Sequence, residues 1–222
     1  MKTIKVDNRI LEVCPAMRVG VVAATVVNSD TGDELWHELE QAATDIASTY
    51  QLLEINRRPA IAAARKLYKA FGKDPGRYRV ASEALCRRII RGLGLYRTTT
   101  LIDLVNLVSI KSGYPSGGFD ADKIVGDTLT LGIGEPGEQY NGIGRGPLNI
   151  EGMPVYRDDL GAMATPTSDE ERIKFTPATR HIQLNINAFD SEMPLEQTID
   201  WTAGLLRKYA SATDIQSQIF TF

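Results

Sequence analysis

The chain has 222 residues, 43% of them hydrophobic, and a net charge of -3. A chain of this length buries most of the surface its unfolded form exposes, so neither disulfides nor a metal is needed to hold it, and its two cysteines and two histidines show no metal-ligand spacing. No apolar run approaches the ~20 residues of a membrane span, no secretory leader is recognisable, and the net charge carries no overall nucleic-acid signature; we expect a single cytoplasmic domain over residues 1–222 with no metal, cofactor or membrane contact.

Residues 2 to 28 read as β structure. Ile4-Lys5-Val6 and Ile10-Leu11-Glu12-Val13 are short segments separated by a turn at Asp7-Asn8 and followed by a break at Pro15. Val19 to Val27 is the longest apolar run and predicts a central strand covered on both faces. Ser29 to Asp33 then opens a helix in which Leu35, Leu39, Ala42, Ile46, Tyr50 and Leu53 keep helical spacing, with His37 beside the stripe on the surface. Pro59 opens a second helix over residues 60 to 71, with Ile61, Ala64, Leu67, Tyr68 and Phe71 inward and Arg65, Lys66 and Lys69 outward. A third starts at Ser82 and Glu83 and turns Ala81, Leu85, Ile89 and Ile90 inward. Its other side carries Arg87, Arg88 and Arg91, and Gly92 and Gly94 close it.

In the next helix Leu101, Leu104, Val105 and Val108 recur at steps of three and four, while Asp103 and Asn106 share a neighbouring face. It stops at Gly113 and Pro115 and runs into Gly117-Gly118. A glycine pair lets a ligand approach the backbone, so this helix and its exit form the most site-like stretch of the chain. After Asp120 come short β segments: Ile124-Val125, Thr128 to Ile133, Val155-Tyr156, Gly161 to Ala164, and His181 to Asn187. The glycines between Gly132 and Pro147 match neither a dinucleotide fingerprint nor a phosphate loop; they predict turns from which Tyr140, Asn141 and Arg145 could project into a site. Leu195 to Tyr209 is a final helix, and Gln216 to Phe222 alternates like a strand. Strands, then helices, then strands and a helix argue an α+β fold.

Charge is unevenly spread. Twelve of the 25 basic residues lie from Arg57 to Arg97, where the only acidic residues are Asp74 and Glu83. Such a cluster suits either a phosphate backbone or a set of solvated helix faces.

An ordered set of residues adds to this reading. Ser82 and Arg88 precede Gly94-Leu95; Leu101-Ile102-Asp103-Leu104-Val105-Asn106 precedes Gly113-Tyr114-Pro115 and Phe119-Asp120; Val155-Tyr156-Arg157-Asp158 is followed by Gly161, Thr176-Pro177 and Thr179-Arg180-His181. Over about residues 78–189 this resembles the B3/B4 domain, the tRNA-editing domain of the bacterial phenylalanyl-tRNA synthetase β chain, and especially its stand-alone relatives. The resemblance implies an α+β fold of that type, with N-terminal β segments, a central helical block, and C-terminal β segments with a final helix. In the synthetase this domain holds a pocket that hydrolyses tyrosine mischarged onto phenylalanine tRNA. Here it implies a pocket at Asp103, Asn106, Gly117, Gly118 and Asn185, and Arg87, Arg88, Arg91 and Arg97 as candidates for RNA phosphates.

The chain departs from that pattern at three places. Gly117 stands at the synthetase domain's histidine position, Asn185 at its pocket glutamate, and Thr165-Pro166-Thr167-Ser168 in place of its glycine-rich wall. No catalytic residue is therefore assigned, and with no aminoacylation core the chain is not a complete synthetase. Three readings follow. The first is an RNA-binding protein that takes a tRNA acceptor end or aminoacyl group and acts in trans as a hydrolase of mischarged aminoacyl-tRNA. The second is a binding protein for an amino acid or related small metabolite, without RNA or catalysis. The third is an interaction module whose pocket is filled by its own side chains. DNA is not an expected partner.

Overall fold

The apolar run after Pro15 forms a strand, Arg18–Thr25, buried along nearly its whole length, and the rest of the architecture is layered on it. The computed structural model describes residues 1–189 and 194–222. In chain order the elements are β1 (Thr3–Val6), α1 (Asn8–Val13), β2 (Arg18–Thr25), α2 (Asp33–Thr49), α3 (Pro59–Ala70), α4 (Ala81–Ile90), α5 (Thr100–Ser112), β3 (Ser116–Asp120), β4 (Thr128–Ile133), β5 (Asn141–Gly142), β6 (Gly146–Pro147), β7 (Pro154–Asp158), β8 (Gly161–Ala164), β9 (His181–Ala188), α6 (Leu195–Ala210) and β10 (Thr213–Thr221).

One antiparallel sheet has the order β10-β2-β9-β3. A second runs β1-β4-β7-β8, with β1 parallel to β4 and the other pairs antiparallel. Because side chains alternate along a strand, β2 serves two cores. Val22 and Ala24 face the helices, packing with Leu39, Leu104, Val108, Ile199 and Leu206. Val19 and Val21 face the other sheet, together with Phe119, Leu131, Val155 and Tyr156. The layers are thus helices, sheet and sheet, which is the α+β arrangement expected. Each fully buried aliphatic side chain contributes about 1.5–3 kcal/mol, so β2 draws stability from both faces. Helix α6 crosses β2 so closely that a Cβ on Gly20 would lie 2.6 Å from Ile199 Cδ1. Helix α3 joins the two cores: Ala60 and Ile61 belong to the helix-side core, whereas Ala64, Leu67 and Tyr68 belong to the inter-sheet core.

Several local expectations give way to packing. Residues 10–13 form a helix turn rather than a strand, because Asp7 caps it by accepting the Arg9 backbone N–H at 2.8 Å and Ile10 goes fully into the core. Helix α2 ends at Thr49 where Tyr50 turns extended, leaving Leu53 76% exposed. Ile124 and Val125 belong to no strand, while Gly117 and Gly118, expected as a helix exit, lie in β3. On α4 the buried positions are Ser82, Glu83, Cys86 and Ile89. Glu83 replaces the expected apolar contact because it arrives neutralised: Arg65 Nη1 reaches it at 2.9 Å and Arg87 Nε at 2.7 Å. Arg65, expected outward, is therefore turned into the α3–α4 seam. Among the described residues no helix is long and apolar enough to cross a membrane.

Removing one member of such a buried ion pair leaves the other charge uncompensated, at a cost of about 3–5 kcal/mol. Glu83→Ala is expected to lower the urea midpoint by a corresponding amount, while Lys66→Ala, on an exposed position of α3, stays within about 0.5 kcal/mol of wild type. Equal denaturation curves for Glu83→Ala and wild type would contradict this account.

Candidate functional site

β9 alternates Ile182, Leu184 and Ile186 toward the helices with Gln183, Asn185 and Asn187 toward the second sheet. The polar side would suit solvent, yet these three residues are 0%, 0% and 4% exposed. A buried amide must find partners or cost about 1–3 kcal/mol per lost group, and most here do find them. The Lys2 backbone N–H donates to Gln183 Oε1 at 2.7 Å, and Gln183 Nε2 donates to Asn185 Oδ1 at 3.1 Å. Tyr156 OH donates to Asn187 Oδ1 at 2.6 Å, and Asn187 Nδ2 donates to the Pro115 carbonyl at 2.8 Å. Asn185 Nδ2 is the exception: it is buried and has no hydrogen-bond partner among the described residues. The Asn185 side chain nevertheless lies near enough to the Tyr156 phenol to oppose in part the upward pKa shift that burial imposes on it, although no contact between the two meets hydrogen-bond geometry.

Gly117 is the residue of β3 paired directly with Asn185. A Cβ at Gly117 would meet the Phe119 ring at 3.0 Å and Asp169 Oδ1 at 3.4 Å, so Asp169 shares this inter-sheet space with Asn185. Asp169 keeps some exposed surface as a residue, but desolvation of its carboxyl pushes its pKa up to about 8, partly offset by the Gly118 backbone N–H. Burial likewise raises the Tyr68 and Tyr140 phenols, Tyr140 also feeling the Asp169 and Glu170 charges. The segment 165–168 closes one side as a hydroxyl-bonded turn. Thr165 Oγ1 accepts the Ser168 backbone N–H at 3.0 Å and donates to the Ser168 carbonyl at 2.8 Å, Tyr140 OH donates to the same carbonyl at 2.7 Å, and Tyr68 OH and Thr167 Oγ1 lie 2.8 Å apart.

The structure brings Gly117 and Asn185 together and spreads the other expected pocket residues. Gly118 faces the opposite side of β3, where a Cβ would sit 2.7 Å from the Phe175 ring and 2.9 Å from Leu184. Asp103 is 1% exposed in the first turns of α5, accepting from Thr31 Oγ1 at 2.5 Å, the Thr98 backbone N–H at 2.9 Å and Thr98 Oγ1 at 2.7 Å. At 1.5 Å of rise per residue it lies about 15 Å along the helix from Gly113. Asn106 is half-buried one turn further on. Tyr140 is buried, and Asn141 and Arg145 are exposed. Asp169, Gln183, Asn187 and Tyr156 are not among the expected site residues; the alternation of amides at 183, 185 and 187 is the sequence signal that could have found two of them.

The arginines divide in the same way. Arg87 binds Glu83 and the Leu52 carbonyl, Arg88 the Leu93 and Gly94 carbonyls, and Arg97 the Thr31 carbonyl and Asp33. Arg91 is exposed and has no side-chain partner among the described residues. Beside them, Asn56, Arg57, Arg65, Lys66 and Lys69 line an open concavity of about 440 Å³. Arg57, Lys66 and Lys69 are exposed there, with no carboxylate partner among the described residues.

A family model described as the B3/4 domain matches residues 63–198. No curated protein matches the chain. Among solved structures the chain is similar to an N-terminal fragment of the phenylalanyl-tRNA synthetase beta-subunit from Pyrococcus horikoshii, at 13% identity and a TM-score of 0.46, covering 98% of this chain and 50% of that one. The chain thus spans half the length of that structure.

Burial that raises the Asp169 pKa above its ordinary value favours the protonated form in the folded state. Stability is then lost as pH rises from near 4 toward 8. Asp169→Asn, which keeps an acceptor for the Gly118 N–H, is expected to match wild type near pH 4 and to become progressively more stable than wild type up to about pH 8, by at most about 1.4 kcal/mol per pH unit. Thermal melts of both proteins across that range check it; a constant difference would refute the shift.

Proposed function

The chain belongs to the B3/4 domain family, and from that premise we propose that it binds RNA at a tRNA acceptor end, receives the aminoacyl group beside Asn185 and Gly117, and hydrolyses mischarged aminoacyl-tRNA in trans. The observation that carries this reading is the unpartnered Asn185 Nδ2 between the sheets. A buried donor of this kind is repaid when a ligand oxygen accepts from it, and an aminoacyl ester offers a carbonyl oxygen. In hydrolysis, water adds to that carbonyl carbon, the ester C–O bond to the ribose breaks, and the ribose hydroxyl takes up a proton. The ester is already activated, so the reaction asks mainly for positioning and for one group able to pass the proton. Asp169, with its pKa raised to about 8 beside Gly117, is such a group and is mostly protonated at pH 7. The concavity lined by Arg57, Lys66 and Lys69 and the exposed Arg91 support contact with RNA phosphates.

A second reading, an amino acid or small-metabolite binder without RNA, is favoured by one set of contacts. Three of the four arginines expected on phosphate donate their hydrogen bonds within the protein.

A deacylation panel with tRNAs charged with aromatic and small amino acids, run beside Asn185→Ala, tests the proposal. Wild type is expected to release one aromatic or small amino acid faster than buffer does, and Asn185→Ala to slow that release about tenfold, the loss of about 1.4 kcal/mol of transition-state binding. Affinity for tRNA should fall steeply between about 50 and 200 mM salt. No binding of charged or uncharged tRNA at low salt, with a melting temperature raised by a free amino acid, would decide for the second reading.

A further inference from the structure

We propose that Tyr96 is a stacking platform for an unpaired base of a bound RNA strand, with Arg91 on a neighbouring phosphate; this rests on the RNA-binding reading above and names a contact which that reading leaves unassigned. Between α4 and α5 the chain turns through Gly92 and Gly94, whose φ angles of 69° and 62° lie in the left-handed region. The turn offers its carbonyls to Arg88, which donates from Nε to Gly94 at 2.7 Å and from Nη2 to Leu93 at 3.0 Å. The guanidinium carbon then lies 4.1 Å from the centroid of the Tyr96 ring. One face of the ring is thus seated on a cation that the loop itself holds in place, while the residue is 70% exposed. A large aromatic so exposed gains little from the core, so its free face is available to a partner.

Charge indicates which partner. The acceptors of Arg88 are neutral carbonyls, so its charge is not cancelled, and Arg91 is exposed without a side-chain partner among the described residues. No acidic residue occurs from residue 84 to residue 102. Arg97, next to Tyr96 in the chain, is paired with Asp33 at 2.7 Å, which leaves Arg88 and Arg91 as the uncancelled cations, and an open aromatic face with these two charges suits a strand that carries both π-faced bases and phosphates. Every base has such a face, so this contact tolerates any sequence but requires the base to be unpaired. The Arg88 guanidinium under the ring and the base above it would form a three-layer stack.

The test uses the full chain with a labelled single-stranded oligoadenylate of about ten nucleotides, a length within the usual site sizes for such surfaces, and a duplex RNA of equal length. Wild type is expected to prefer the single strand. Tyr96→Ala should weaken single-strand binding by about 5- to 150-fold, the range of one base–aromatic stack, with an unchanged melting temperature. Tyr96→Trp should retain binding and lose indole emission when RNA is added. Arg91→Ala should flatten the slope of log affinity against log salt by about 0.7. If wild type binds the single strand but Tyr96→Ala binds equally well and Tyr96→Trp emission does not change, the stacking assignment is overturned while RNA binding stands. If wild type binds neither these RNAs nor tRNA, the RNA reading itself falls and this contact with it. If Tyr96→Ala alters only the sedimentation of the protein, the surface is a protein contact and the assignment is likewise overturned.

Discussion

Between the two sheets, one row of amides on β9 has to be satisfied without water, and much of the tertiary arrangement answers to that requirement. Gln183 draws in the backbone at Lys2, Asn187 draws in Tyr156 from β7 and the Pro115 carbonyl at the entry to β3, and Asn185 is left with one donor unanswered. These bonds fasten the first residues of the chain, the edge strand and the second sheet to a single strand. They also fix register. A slip of one residue would turn Ile182, Leu184 and Ile186 toward the second sheet and drive the amides into the helix-side core, which has nothing to pair them with.

Carboxylates impose a similar discipline on the helical side. Glu83 holds α3 and α4 together through Arg65 and Arg87, and Asp103 ties the entry of α5 to the loop at Thr31 and Thr98. The basic cluster is therefore two populations. In one, Arg65, Arg87, Arg88 and Arg97 engage carbonyls and carboxylates of the protein. The other, Arg57, Lys66, Lys69, Arg77 and Arg91, faces solvent.

The central strand, the four helices from residue 33 to residue 112 and the C-terminal helix were legible because their apolar periods extend over many residues, enough for the packing face to dominate local preference. Residues 10–13 were not, since a single turn carries too little pattern to separate a capped helix from a strand, and Asp7 decided the matter through one hydrogen bond. The site was half legible. Gly117 and Asn185 are paired across β3 and β9, whereas Asp103 stands ten residues before Gly113 on its helix, a separation the sequence already sets, and its carboxylate is taken up by Thr31 and Thr98. Asp169 could not be seen at all, because its character comes from desolvation by segments far away in sequence. The segment from His181 to Asn187 reads as a strand, but its alternating amides would normally mean a wet face, and only the second sheet makes this one dry.

Helix α3 has a consequence beyond packing. Its first turn belongs to the layer between helices and sheet, and its later turns belong to the layer between the sheets. Neither layer can open while the other stays intact without pulling this helix apart or exposing its apolar side chains. The two cores are thus coupled into one cooperative unit rather than two foldons, and the slowest-exchanging amides of α3, β2 and β9 should report a single opening event shared by all three.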